Sequence, residues 1–191
     1  DTSCTLTYTL NASLSHGTGQ WTGPANISFS DATSPTATAT STTTGTYTLT
    51  WTGTSLPGCT DVETVNITFL NPITTVVVPD CQDSSVTVTI SNGLPEQNGS
   101  NYTVSNLLPA TADFTTSVAT HAGDVVVQGL QNGDMYSFDI TDDFGCATSI
   151  TGGPFVGLPT ADAGQNDTSC TLTYTLNASL SHGTGQWTGP A

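Results

Sequence analysis

Apolar and hydroxyl side chains alternate residue by residue through much of this chain. In residues 4–10 (CTLTYTL), Cys4, Leu6, Tyr8 and Leu10 fall on one side and Thr5, Thr7 and Thr9 on the other. Residues 46–52 (TYTLTWT) set Tyr47, Leu49 and Trp51 against threonines, and residues 62–69 (VETVNITF) align Val65, Ile67 and Phe69. A period of two with one apolar face predicts strands packed on one side. Shorter strands are predicted over 20–23, 26–30 and 36–42, separated by the turn-forming runs SHGTG, DATSP and SLPG. No stretch carries an apolar stripe of helical period. Short strands at this spacing over about 75 residues predict an antiparallel β-sandwich.

A second set follows from Ile73: residues 73–78, 85–91, 101–107, 113–119, 124–130 and 135–141. Val86, Val88 and Ile90, then Tyr136, Phe138 and Ile140, are the expected inward faces. The expected division is a first sandwich over 1–70, a second over 71–159, and the start of a third over 160–191. Residues 69–74 (FLNPIT) and 155–165 (FVGLPTADAGQ) join them, and their prolines predict stiff joints.

The third piece repeats the first. The 25 residues from Asp1 to Ala25 recur unchanged from Asp167 to Ala191, so the unit is 166 residues long. Solenoid repeats have periods of about 20–50 residues. A period this much longer describes a pair of whole domains, and the chain reads as a window on a tandem array. In that frame the segment TADAGQN that precedes Asp167 also precedes Asp1, and supplies the start of the first sandwich.

Composition narrows the partners. The chain has no Lys or Arg against 15 Asp and Glu, a net charge of −15. Such a surface repels nucleic acid and anionic membranes, which need basic groups, and keeps neighbouring copies apart. No signal peptide or long apolar run is present. With only 8% charged residues, solubility falls to threonine, about a fifth of the chain. Its rows, such as Thr46, Thr48, Thr50 and Thr52, read as outer strand faces.

Five cysteines bear on the compartment. Cys4 and Cys59 bracket the first sandwich and Cys81 and Cys146 the second, which predicts one bridge per domain and an oxidising, extracellular setting. Cys170 repeats Cys4 and is unpaired because the counterpart of Cys59 lies past this stretch. The competing reading is five unpaired buried thiols. Zinc is disfavoured, since there is no CxxC and only three histidines.

The segments TADAGQNDTSCTLTYTLNAS, GTGQWTGPANISFSDATSPTATATSTTTGTYTLTWT and CTDVETVNITF together resemble the PKD-like repeats of giant Bacteroidota surface adhesins. FSDATSPTAT, GTYTLTWT and the cysteine before the last strand carry the likeness. The second domain, with ITDDFGCATSI, is similar to the Ig-like modules found among such repeats. The resemblance implies export by the type IX route and a long surface filament, as in gliding-motility adhesins of the SprB kind.

Catalysis is not expected. His16 lies in LSHGTG, repeated at His182, and His121 lies in ATHAGD; both read as loop residues. Asp142 and Asp143 sit in TDDFG, which reads first as a hairpin turn. These two, with Asp162 and Asp167, are the acids placed to hold calcium, although no DxDxDG loop is present. Trp21, in GQWTG, is the candidate glycan platform, whereas Trp51 belongs to a core face. Seven N-x-S/T sequons run from Asn11 to Asn177, as expected for a threonine-rich chain. With no lysine, Lys–Asn isopeptide staples are impossible and disulfides are the covalent option. The expected role is a non-enzymatic filament repeat, without cofactor or membrane insertion, whose partners are neighbouring identical repeats and other surface motility or secretion proteins. The alternative is a glycan- or calcium-binding module acting through avidity.

Overall fold

The structure is a computed structural model that describes residues 1–93, 101–115, 118–120 and 124–189. It is all-β, as tandem antiparallel sandwiches, and among the described residues no helix is long and apolar enough to cross a membrane.

The first sandwich contains β1 (Thr2–Ser3), β2 (Thr7–Thr9), β3 (Thr18–Thr22), β4 (Ile27–Phe29), β5 (Thr38–Ser41), β6 (Gly45–Leu56) and β7 (Cys59–Phe69). One sheet has the order β1-β7-β6-β3 and the facing one β2-β5-β4. The β6–β7 hairpin is its spine, closing at Pro57–Gly58, where Gly58 takes a φ of 84°. Along β6 the alternation works as expected: Leu49 and Trp51 are buried while the intervening threonines stay partly wet. In β5 Ala39 and Ser41 are turned inward while Thr38 and Thr40 stay partly exposed. β1 lies parallel to the end of β7, with Thr2 opposite Thr68 and Ser3 opposite Phe69.

The second sandwich contains β8 (Thr74–Asp80), β9 (Ser85–Ser91), β10 (Asn101–Leu108), β11 (Asp113–Phe114), β12 (Val118–Thr120), β13 (Asp124–Gln128), β14 (Tyr136–Asp142) and β15 (Ala147–Gly152). Its sheets run β12-β10-β14-β15 and β11-β13-β9-β8. Val86, Val88 and Ile90 of β9 face Phe138 and Ile140 of β14 across a core completed by Tyr102, Val125 and Val127. Tyr136, expected inward with them, is only partly buried at the core's edge. The strand expected over 113–119 is two short strands, in different sheets.

β16 (Ala161–Asp162), just before the second copy of the repeated segment, pairs antiparallel with β17 (Ser179–Leu180) inside it. In that copy Leu176 is 56% and Trp187 52% exposed, whereas their counterparts Leu10 and Trp21 are 2% and 5% exposed. Identical residues fold differently because the first copy has β4–β7 to pack against. Strand pairing is nonlocal, and a strand without its facing sheet has nowhere to bury its apolar side.

Candidate functional site: the disulfide joint

The bond at the joint departs from the expected pairing. Cys4 is joined to Cys146, 142 positions away, with Cα atoms 5.3 Å apart. Cys59, Cys81 and Cys170 are exposed free thiols. The two intradomain bridges expected from the sequence, Cys4–Cys59 and Cys81–Cys146, are therefore corrected to one bond between the sandwiches.

Strand geometry explains why. Ser3 lies opposite Phe69, the last residue of β7, while Cys59 is its first. An extended strand rises about 3.3 Å per residue, so Cys4 and Cys59 stand roughly 30 Å apart, at opposite ends of one sandwich. A disulfide tolerates about 4.4–6.8 Å between Cα atoms. In the second sandwich, Cys81 follows the end of β8 at which Asp80 meets Ser85, whereas Cys146 belongs with the end at which Thr74 meets Ser91. Tyr102 links that end to the β14–β15 turn: it lies opposite Asp142, and its hydroxyl donates to the Asn92 carbonyl.

The neighbourhood of Cys4 is shaped by hydroxyls. Strict alternation predicts a strand from residue 4 with Cys4 turned inward, yet β2 starts only at Thr7 and Cys4 is exposed. Ser3 Oγ and Thr5 Oγ1 both donate to the Thr7 carbonyl. Side chains that capture nearby backbone groups compete with strand pairing in this way. Ser169 and Thr171 form the corresponding bonds with the Thr173 carbonyl, so the loop that presents the cysteine is encoded locally in both copies.

Cys146 is presented by a capped hairpin. Asp142 is 4% exposed, and its Oδ1 accepts the N–H groups of Phe144 and Cys146. The Gly145 N–H donates to the Asp142 carbonyl, and Gly145 takes the turn's left-handed φ of 82°. Burial, reinforced by the negative charge of Asp142, raises the Tyr102 phenol above its ordinary pKa. On the linker side, the Asn71 carbonyl accepts the Gly93 N–H, and the Ser3 carbonyl accepts the Leu70 N–H. In the chain-entropy account, closing a loop of 142 residues constrains the unfolded state by roughly 4–5 kcal/mol.

The other candidate residues scatter. The acids considered for calcium are occupied with backbone capping: Asp143 accepts the Asn101 N–H, Asp162 that of Gly164, and Asp167 that of Thr168. The Tyr174 hydroxyl, then the Thr168 N–H, hold the Asp167 carboxyl below its usual range. Among the described residues, no three His, Cys, Asp or Glu side chains converge on a cation-sized space. Trp21 is no platform, being buried against Trp51 and Phe29 with ring centroids 5.1 and 6.3 Å away. His16 is exposed beside Ser15, while His121 lies outside the described residues. His182 forms a hydrogen bond with the Gly157 carbonyl at 2.6 Å.

No protein-family model matches the chain, and no curated protein matches its sequence. Among solved structures, it is similar to the C-terminal 282-residue fragment of intimin, determined in complex with the intimin-binding domain of the translocated intimin receptor. The two are 15% identical with a TM-score of 0.48, over 77% of this chain and 54% of that one. The chain thus spans about half the length of that fragment, and likeness at this level assigns it neither family nor partner.

Proposed function

We propose that this chain is a segment of an extracellular surface filament, a stalk of tandem β-sandwich pairs that projects or transmits force to an adhesive tip. The Cys4–Cys146 bond carries this reading, because it ties one sandwich to the next at their joint rather than stabilising either alone. A covalent staple across a joint limits bending and separation, which a stalk needs and an isolated binding module does not. The unchanged second copy of residues 1–25 supports a tandem array of such pairs.

A disulfide favours an oxidising compartment outside the cell. A charge of −15 with no cationic groups suits a filament that must not bundle with its neighbours. On the resemblance to giant Bacteroidota adhesin repeats, the filament is exported by the type IX route and serves gliding or surface attachment. Adhesive specificity then lies elsewhere in the whole protein. Burial of Trp21 removes the aromatic platform on which the glycan-binding alternative rested.

Electron microscopy of surface appendages, labelled with an antibody raised against residues 1–159, tests this. Labels repeating along a thin fibre at an interval of two sandwiches support the stalk. Label confined to one spot at the fibre end would make the sandwiches the binding element and overturn it.

A further inference from the structure

The two exposed cysteines of the complete sandwiches lie at their outer ends. Cys59 opens β7 at the tip of the β6–β7 hairpin, in a groove it shares with Leu14, Ser15 and His16. Cys81 follows β8 at the end of the second sandwich away from Cys146, in a groove lined also by Pro79, Phe155 and Val156. Each therefore sits on the side of its sandwich away from the Cys4–Cys146 bond.

The start of the second repeat shows what meets the Cys81 end. His182, the counterpart of His16, bonds to the carbonyl of Gly157, which adjoins Val156 in the Cys81 groove. Ser181, the counterpart of Ser15, exchanges hydrogen bonds with Thr160: its hydroxyl accepts the Thr160 N–H and its own N–H donates to the Thr160 carbonyl. In the first sandwich these same positions, Ser15 and His16, lie in the groove with Cys59. The residues that share a groove with Cys59 are thus the ones the repeat sets against Gly157 and Thr160, the first of which adjoins the Cys81 groove at Val156.

We infer that Cys81 of each unit is disulfide-bonded to Cys59 of the following unit. The inference rests on the tandem-array reading above. It makes every joint of the filament covalent: Cys4–Cys146 across residues 69–74, and Cys81 to the next Cys59 across residues 155–165. Two thiols become one disulfide with loss of two protons and two electrons. The acceptor is a disulfide donor, an oxidised thiol–disulfide oxidoreductase or small-molecule disulfide, left as two thiols. Cys170, as the copy of Cys4, takes the Cys146 of its own unit. All cysteines of an internal unit are then paired.

Non-reducing peptide mapping of the filament protein isolated from cells tests this. Thiols are alkylated before denaturation, and the chain is cut with a protease specific for acidic residues. The expected result is a Cys59 peptide joined to a Cys81 peptide, with no rise in chain mass on a non-reducing gel. Alkylated Cys59 and Cys81 in a chain of many units overturn the pairing and leave the array standing. An intact mass equal to a single unit overturns both. A joined pair that appears only in cross-linked multimers makes the bond one between filaments and overturns the inference. Replacing Cys59→Ser in every unit should convert Cys81 from unreactive to fully alkylated. Cys4→Ser should leave Cys81 unreactive.

Discussion

Trp21 and Trp51 lean on each other across paired strands β3 and β6, with ring centroids 5.1 Å apart and planes tilted by 47°. They anchor the first core together with Leu49 and Ile67. Trp51→Ala should destabilise the first sandwich by about 3–5 kcal/mol, the usual cost of deleting a large buried aromatic. Denaturant unfolding followed by circular dichroism checks this. An effect below about 1 kcal/mol would mean that the pair is not a core.

Gly93 is a second point of low tolerance. It takes a φ of 76°, and a Cβ there would come within 2.7 Å of Ile73 Cγ1 and 2.9 Å of Asp142 Oδ2. Gly93→Ala should therefore cost about 1–3 kcal/mol through strain and overpacking at the joint. Its thermal midpoint should fall, whereas Gly58→Ala, with open space around the added Cβ, meets only the strain of its φ.

Acid should act on the second sandwich through Asp139. Hydrogen bonds from Asn106 and then Ser149 hold its carboxyl below the ordinary value of 3.8. A folded-state pKa below the unfolded one adds stability that is present above 3.8 and fades as pH falls through the folded value. Asp139→Asn removes the charge and one of the two acceptor oxygens that serve Asn106 and Ser149. The variant should melt below wild type at pH 7, and the gap should close below about pH 4. A gap unchanged down to pH 2 would assign the effect to packing.

Tension should follow the sulfur. In a chain pulled from its two ends, residues between Cys4 and Cys146 lie off the loaded path while the bond holds. Optical-tweezer stretching with a reductant should release about 500 Å beyond the unreduced length, from 142 residues at ~3.5 Å each. Equal lengths with and without reductant would show that the bond does not carry load.

The strands were legible because their alternation is a local property. Residues 85–91 read as a strand with Val86, Val88 and Ile90 inward, and β9 has those bounds and that face. TDDFG read as a hairpin turn, and Asp142 caps one there. The pairing at the joint was not legible. Cysteines bracketing a domain look like partners in one dimension, but a sandwich strand carries the chain from one end to the other. The period of two over residues 4–10 turns Cys4 inward on paper, but the hydroxyls of Ser3 and Thr5 claim the Thr7 carbonyl and end the strand pattern there. Trp21 stood in a short glycine-flanked run, and only its pairing opposite Trp51 reveals its burial.

The parallel run of β1 beside the end of β7 also decides which thiols can meet. Within one unit Cys4 comes before Cys59 and Cys81 along the chain, and Cys146 follows them. Two other thiols thus stand between Cys4 and its partner along the chain. Once β1 has docked on β7, Cys59 is held a full strand away and cannot be reached. Folding of the first sandwich thereby acts as a proofreader against Cys59, leaving Cys4 for the hairpin of the second sandwich.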